Sequence, residues 1–143
     1  LERYVKEGDS VVDVGTGTGI LSIASAMLRA KQVEGYDLDP VAVESARLNS
    51  KLNKVSDHIE IKQNNLLDGV EGEKDVIVAN ILAEVILRFT DQAYDLLKDG
   101  GYFITSGIIQ QKKQEVKDAL VKEGFTIVEV LSMEDWVSII AKK

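Results

Sequence analysis

The sequence has 143 residues, of which 45% are hydrophobic and 29% charged, a balance typical of a folded domain and unlike a disordered tail or a coiled coil. It contains no cysteine and one histidine, which excludes a disulfide framework, a thiolate metal site and a histidine-based zinc centre. The 17 Lys and Arg against 24 Asp and Glu give a net charge of -7, so we expect no direct nucleic-acid partner.

The chain contains no apolar run as long as a membrane span and no basic-then-apolar leader at its start. We therefore expect a cytoplasmic protein with no membrane partner. Because the first residue is Leu1 and not Met, we also expect the sequence to be part of a longer protein.

Short apolar runs alternate with segments of helical period along the chain. Five of these runs predict strands, at Ser10–Val14, Val33–Leu38, Ile59–Gln63, Asp75–Ile81 and Tyr102–Ser106. Strict alternation of strand and helix predicts an α/β fold with a mostly parallel sheet and helices on both faces. Two last runs, Phe125–Leu131 and Trp136–Ala141, are separated by only four residues and must form an antiparallel hairpin, in which we expect Phe125 and Trp136 to pack.

Apolar side chains at helical spacing predict four helices between the strands. Their stripes are Ile20, Ile23, Ala24 and Met27; Val41, Leu48 and Leu52; Leu82, Val85, Ile86, Phe89, Ala93 and Leu96; and Ile109, Val116, Ala119 and Leu120. Pro40 is expected to open the second helix, with Asp39 as its cap. Gly100-Gly101 is expected to end the third helix and Gly124 the fourth.

The first strand runs into a glycine-rich turn, DVGTGTG at 13–19, and then directly into a helix. Glycine at this turn lets the backbone approach a ligand and leaves N–H groups of the helix facing it. We therefore predict a ligand site formed by Gly15, Thr16, Gly17 and Gly19, beyond the carboxyl ends of the strands.

The residues around this turn argue against a phosphate-bearing ligand. The dinucleotide fingerprint needs a glycine where Ile20 stands, and the Gly-Lys-Ser/Thr ending of a phosphate-binding loop is absent. Asp13 would repel a pyrophosphate and attract an ammonium group. S-adenosylmethionine carries an ammonium, a sulfonium and a ribose but no phosphate, so Asp13 favours this cofactor. The alternative for Asp13 is a capping or turn role.

Polar residues also follow the second and third strands. Asp37 lies 22 residues after Gly15 and could accept hydrogen bonds from both ribose hydroxyls, although nicotinamide cofactors use the same position. We include the adjacent Leu38 among the cofactor-binding residues. After the third strand, Asn65 could bind the adenine edge through its amide, with a plain turn role for Asn64-Asn65 as the alternative.

Asn80 interrupts the apolar run of the fourth strand at the edge where ligands bind. A polar side chain there needs partners, which a cofactor or an incoming amine would supply; neighbouring backbone is the alternative. We therefore predict that Asn80 is both a cofactor-binding and a catalytic residue, holding a neutral amine and orienting its lone pair. No metal ligands and no general base are predicted.

With these residues in view, the sequence resembles the class I S-adenosylmethionine-dependent methyltransferases over its whole length. The segments VVDVGTGTGILSIA, GYDLDPVAVESARLN, DVIVANILAEVI and GYFITSGII are similar in particular to the PrmA family, whose members methylate lysine side-chain and N-terminal amines of large-subunit ribosomal protein eleven. The resemblance implies a Rossmann-like, seven-stranded sheet whose last strand is antiparallel. It also implies cofactor contacts from Gly15, from Asp37 to the ribose, from Asn65 near the adenine and from Asn80 near the methionine end.

The family places a substrate-recognition domain and a Phe-Gly-Thr-Gly cofactor loop before this region, and neither precedes Leu1. We therefore expect residues 1–143 to be the methyltransferase domain alone. Three alternatives remain: a class I methyltransferase for protein glutamine, a small molecule or RNA; a nicotinamide oxidoreductase; and a binding module without activity. Ile20 and Asp13 disfavour the oxidoreductase, and the segment after Asn80 lacks the Pro-Pro-Tyr common in glutamine and adenine enzymes.

Overall fold

Seven strands form one sheet in the computed structural model, which describes residues 3–143 of the chain. In chain order they are β1 (Ser10–Val14), β2 (Gln32–Asp37), β3 (Ile59–Gln63), β4 (Lys74–Asn80), β5 (Leu97–Ile109), β6 (Thr126–Met133) and β7 (Trp136–Lys142). The α-helices within these residues are α1 (Ile20–Met27), α2 (Pro40–Leu52), α3 (Ala83–Ile86), α4 (Thr90–Leu96) and α5 (Lys113–Glu123). None of the helices described in 3–143 is long and apolar enough to cross a bilayer.

The strand order is β3-β2-β1-β4-β5-β7-β6. The first five strands are mutually parallel, while β7 pairs antiparallel with both β5 and β6. This arrangement confirms the predicted Rossmann-like α/β sheet with an antiparallel terminal hairpin. The order reverses between β1 and β4, and in open parallel sheets a ligand crevice forms at such a reversal, outside the carboxyl ends of the strands.

The central strands are buried on both faces, which explains their continuous apolar sequence. Val12 and Val14 of β1 point into a core shared with α3, α4 and α5, whereas Val11 packs with α1 on the opposite face. In the larger core the Phe89 and Phe103 rings lie 5.7 Å apart between centroids. This double-sided burial fixes the position of the carboxyl end of β1.

The third predicted helix, Leu82 to Leu96, is in fact two helices, α3 and α4. Phe89 leaves the helical conformation at φ -132°, and its ring is fully buried in the core. Burial of this ring therefore accompanies a break in the helix that the apolar spacing predicts. Gly100-Gly101 was predicted to end the third helix, and Ile109 to belong to the fourth. Both predictions were wrong, because all three residues lie in β5, which extends well beyond the predicted Tyr102–Ser106.

The stripe predicted for α2 was wrong: Val41, Leu48 and Leu52 are all exposed. The residues that α2 buries are Val43, Ala46 and Ser50. In α1, likewise, Ile20 and Met27 are exposed whereas Ser22 and Ser25 are buried. Ser22 faces β1, where its hydroxyl donates to Asp13, and Ala46 of α2 lies close to Gly19, just before α1. The predicted caps are confirmed, with Asp39 accepting from the Val41 N–H at 2.9 Å, Pro40 first in α2 and Gly124 in the left-handed conformation after α5.

Phe125 packs in the core as predicted, since it is almost fully buried. Trp136 does not, because half of its surface is exposed at the start of β7. The hairpin core is filled by Val137, Ile139 and Ala141, which alternate with Trp136 along the strand and face the opposite side of the sheet.

Candidate functional site

A cleft of about 230 Å³ opens at the carboxyl ends of β1, β2 and β4, where the strand order reverses. We call it the rim cleft; its lining residues are Val14, Gly15, Tyr36, Asp37, Leu38, Asn64, Asn65, Leu66, Ile81, Val85 and Arg88. The structure thus brings together four of the predicted site residues, Gly15, Asp37, Leu38 and Asn65. A larger groove of about 480 Å³ crosses the sheet face of β4, β5 and β7 and contains none of them.

The Asp37 carboxylate is held in place by two backbone donors. The Gly17 N–H donates to Oδ2 and the Asp39 N–H donates to Oδ1, both at 3.0 Å. A carboxylate oxygen accepts more than one hydrogen bond, so each oxygen keeps accepting capacity toward the cleft. Asp37 can therefore still bind two ligand hydroxyl groups while its own orientation is fixed.

Four of the N–H groups of the glycine turn are already used inside the protein. Gly15 and Thr16 both donate to the Tyr36 carbonyl oxygen, at 2.8 and 2.9 Å, and Gly19 donates to the Thr16 carbonyl oxygen at 2.8 Å. The fourth donor is the Gly17 N–H, which Asp37 accepts. These four N–H groups precede α1, whose own first N–H groups are the ones predicted to face a ligand. A phosphate at the turn could not use these four backbone donors.

Asp13 lies beneath the turn and only 1% of its surface is exposed. The Thr16 and Ser22 hydroxyls donate to its Oδ2 at 2.8 and 2.9 Å. Burial raises the pKa of Asp13, and the two hydroxyl hydrogen bonds oppose that change. Asp13 and the Thr16 side chain therefore support the turn from inside. This corrects the expected direct contact of Asp13 with a ligand's ammonium group, and favours the alternative of a turn role.

The three glycines of the turn have different neighbours. Gly15 has φ +72°, and a Cβ there would lie 2.6 Å from Cγ2 of Ile81, a residue of the cleft wall. Gly17 has φ +57° and open space around the same position. A Cβ on Gly19 would lie 3.1 Å from the Ala46 Cβ, so Gly19 serves the contact of α1 with α2 and not the cleft. Only Gly15 is needed for the approach of β4 to the turn.

Asn80 is the last residue of β4 and is exposed at the carboxyl edge of the sheet. It immediately precedes Ile81 in the cleft wall and pairs with Ser106 of β5. Gly107 leaves room for its amide, since a Cβ there would lie 2.8 Å from the Asn80 Oδ1. Asn80 is therefore beside the rim cleft and is not part of its lining.

The two asparagines after β3 have separate roles. Asn64 donates through Nδ2 to the carbonyl oxygens of Leu66 and Asp68, at 3.1 and 3.0 Å, and so holds the turn together. Asn65 is exposed, lines the cleft and makes a 3.3 Å hydrogen bond to the Asp68 carboxylate. The turn role thus belongs to Asn64, and the amide of Asn65 is available to a ligand.

Sequence reasoning missed the apolar walls of the cleft. Ile81 and Val85 follow Asn80 at helical spacing, a signal that could have placed them beside it. Leu66 has φ +53°, a left-handed conformation that is uncommon for leucine and therefore not predicted from the sequence. Tyr36 forms part of the floor; burial, with the nearby Glu34 and Glu60 carboxylates, raises its pKa to about 12, so its phenol stays neutral.

Comparison with known proteins agrees with this geometry. The family model "Ribosomal protein L11 methyltransferase (PrmA)" matches residues 1–143. Proteins named ribosomal protein L11 methyltransferase from Bacillus licheniformis and Bacillus subtilis are 99% and 79% identical over the whole chain. The chain spans 46% of the length of each of these relatives.

Two solved structures give the same fold. The ribosomal protein L11 methylase of Lactobacillus delbrueckii subsp. bulgaricus is 36% identical with a TM-score of 0.94, over 99% of this chain and 74% of that one. An RNA methyltransferase from Salinibacter ruber, solved with S-adenosyl-L-homocysteine, has a TM-score of 0.77 over 96% of this chain and 82% of its own, at 21% identity, which indicates a common fold alone. The match of the family model over the full sequence establishes that the chain belongs to the PrmA family of ribosomal protein L11 methyltransferases.

Proposed function

We propose that residues 1–143 form the methyltransferase domain of an S-adenosylmethionine-dependent enzyme that methylates lysine side-chain and N-terminal amines of ribosomal protein L11. One observation carries the proposal: Asp37 faces the rim cleft with accepting capacity, while four amides of the glycine turn are already bonded. Such a cleft suits a ribose and disfavours a phosphate. The names of the relatives from Bacillus supply the protein substrate.

The residues present fit S-adenosylmethionine. Asp37 would accept the ribose hydroxyls, and the amide of Asn65 offers a donor and an acceptor to the adenine edge. Leu38, Leu66 and Ile81 provide apolar walls for the base. The cleft, at about 230 Å³, is smaller than typical sites for whole ligands of this size, so the amino-acid end would extend past Gly15 toward Asn80.

When bound, S-adenosylmethionine would supply a methyl group that an amine attacks in line, and the electrons of the broken C–S bond would leave with the sulfur of S-adenosylhomocysteine. The contribution of the chain is then alignment of the acceptor and exclusion of water. Asp37 and the apolar walls would hold the cofactor. Asn80, next to Ile81 and exposed at the same edge, would hold the amine of the substrate.

An amine must be neutral to act as a nucleophile, whereas the ordinary pKa of lysine is about 10.4. The Asn80 Oδ1 carries no proton and can accept an N–H of the neutral amine, which orients the amine lone pair away from the amide. Apolar surroundings such as Ile81 disfavour the charged form of the amine and lower its pKa. Asn80 is therefore proposed to select and orient the neutral amine.

The proposal is tested by incubating the purified protein with S-adenosylmethionine and isolated ribosomal protein L11, and measuring added methyl groups by mass spectrometry. We expect methylated lysine or N-terminal amine in L11 and none in ribosomal RNA. Methylation of RNA, of a glutamine or of a small molecule in place of L11 would contradict the proposed substrate. Absence of S-adenosylhomocysteine binding would contradict the proposed cofactor.

A further inference from the structure

Trp136 is the single tryptophan of the sequence and is 52% exposed at the carboxyl edge of the sheet. It pairs with Ile109 of β5 and with Met133 of β6, which are 38% and 79% exposed. Residues directly opposite in antiparallel strands share a face, so these three side chains form one apolar surface. We call Ile109, Met133 and Trp136 the rim patch.

The rim patch lies on the same face of the sheet as Asn80. Trp136 shares its face with Ser138, two residues on, and Ser138 hydrogen-bonds across that face to Ser106 at 3.1 Å between the hydroxyl oxygens. Ser106 is the partner of Asn80 in the β4–β5 register. Ile109, the partner of Trp136, is three residues beyond Ser106, and the irregular register between Thr105 and Ile108 lets both lie on one face.

The hairpin tip that carries Trp136 is fixed to the body of the sheet. The Gln110 N–H donates to the Asp135 carbonyl oxygen at 3.0 Å, and the Gln110 side chain donates to the Glu134 carbonyl oxygen at 3.4 Å. These bonds tie the end of β5 to the two-residue turn between β6 and β7. The backbone just before Trp136 is therefore anchored to the end of β5.

Two carboxylates flank the rim patch. Glu134 and Asp135 form the turn immediately before Trp136, and both are exposed. Acidic side chains beside an aromatic face attract a cation and repel phosphate, and an ammonium group is also attracted to the face of an indole ring. The chemistry of this surface thus matches a lysine-bearing segment and does not match a nucleic acid.

We propose that the rim patch is the docking surface for the lysine-bearing segment of the protein substrate, with Trp136 packing against the target side chain on its way to Asn80. The inference rests on the proposed function. Ile109 and Met133 extend the apolar contact to neighbouring substrate residues, while Glu134 and Asp135 provide the charge complement. Trp136 acts as a specificity-determining residue that positions the amine and takes no part in the transfer of the methyl group.

The test compares Trp136→Ala, Trp136→Phe and the control Leu52→Ala in steady-state methylation of ribosomal protein L11 by the purified protein. Leu52 is another exposed apolar side chain, at the far end of α2. We expect Trp136→Ala to raise the KM for L11 about tenfold, with S-adenosylhomocysteine affinity unchanged. Trp136→Phe should restore most of the loss, and Leu52→Ala should change neither quantity.

An unchanged KM in Trp136→Ala would overturn the inference. If the melting temperature fell while KM stayed the same, the role of Trp136 would be packing within the protein. A second measurement isolates the fluorescence of Trp136, as the difference between the spectra of the unsubstituted protein and Trp136→Phe. Addition of L11 should change this difference, and no change would also overturn the inference. Failure of the unsubstituted protein to methylate L11 would instead contradict the proposed function.

Discussion

The Asp37 carboxylate accepts the Gly17 N–H at 3.0 Å, and this bond joins the end of β2 to the glycine turn after β1. The same carboxylate faces the rim cleft, so one side chain both shapes the turn and presents the charge that a ribose would meet. The consequence is that a substitution at Asp37 acts on ligand binding in two ways, by removing an acceptor and by releasing the turn.

We expect Asp37→Ala to weaken binding of S-adenosylhomocysteine by about 10- to 100-fold, because hydrogen bonds to a charged group contribute about 1.5–3 kcal/mol. Isothermal titration calorimetry measures this directly. Asp57→Asn removes an exposed carboxylate from the loop before β3 and serves as the control. Equal affinities for the Asp37 variant and the unsubstituted protein would contradict the ribose contact.

The glycines of the turn allow a matched comparison between Gly15→Ala and Gly17→Ala. Both positions have positive φ, so both substitutions cost about 1–2 kcal/mol of backbone strain. Only the alanine at 15 also meets Ile81, at 2.6 Å from its Cγ2. Urea denaturation should therefore show a larger loss of unfolding free energy for Gly15→Ala; equal losses would contradict the close approach of β4.

Thr16→Val tests the buried carboxylate of Asp13. Burial raises the pKa of Asp13 above its ordinary 3.8, so the stabilising effect of its protonated form is present below 3.8 and is lost as pH rises through the folded-state pKa. Removing the Thr16 hydroxyl takes away a donor to the charged form and raises that pKa further. We expect a loss of about 1–3 kcal/mol at neutral pH.

This loss should become smaller as pH falls toward the folded-state pKa of Asp13, because the protonated carboxyl needs the donor less. Denaturation curves at about pH 7.5 and about pH 5 compare the two conditions. Thr126→Val, at an exposed position of β6, is the control and should change stability little at either pH. A loss for Thr16→Val that grows on acidification would contradict the assigned role of Asp13.

Asn80→Ala should lower kcat for methylation of L11 by about a hundredfold or more while leaving the affinity for S-adenosylhomocysteine within about threefold of its original value. The reason is that Asn80 lies beside the rim cleft and not in its lining, so it acts mainly on the acceptor amine. Asn53→Ala, at the end of α2, is a matched control. A large loss of cofactor affinity with kcat intact would mean that Asn80 binds only the cofactor, and would contradict its proposed role toward the amine.

The strands were predictable because the central strands are mainly apolar and the edge strand β3 carries its two isoleucines at alternate positions. Ser10–Val14 and Ile59–Gln63 match the predicted bounds, and the hairpin was evident from its short connection. The helix faces were less predictable. α1 and α2 pack through small residues such as Ala46 against Gly19, so the large apolar side chains of α2 face outward. Helical period alone cannot reveal such a contact.

The position of Asp37 and Asn65 at the cleft was predictable, because each lies at or just beyond the end of a strand. The site was not predictable where the direction of a side chain decides the role. Asp13 and Thr16 lie in the motif yet turn inward, because a buried carboxylate takes the nearest hydroxyl donors. Trp136 is the reverse case, an aromatic side chain expected in the core that the register of β7 leaves at the surface.

The central claim is that the rim cleft binds an adenosyl ligand without phosphate. Calorimetric titration of the purified protein with S-adenosylhomocysteine and, separately, with NADH tests it most directly. We expect saturable one-to-one binding of S-adenosylhomocysteine that Asp37→Ala weakens, and no binding of NADH. Binding of NADH with no heat from S-adenosylhomocysteine would contradict the assignment of the cleft.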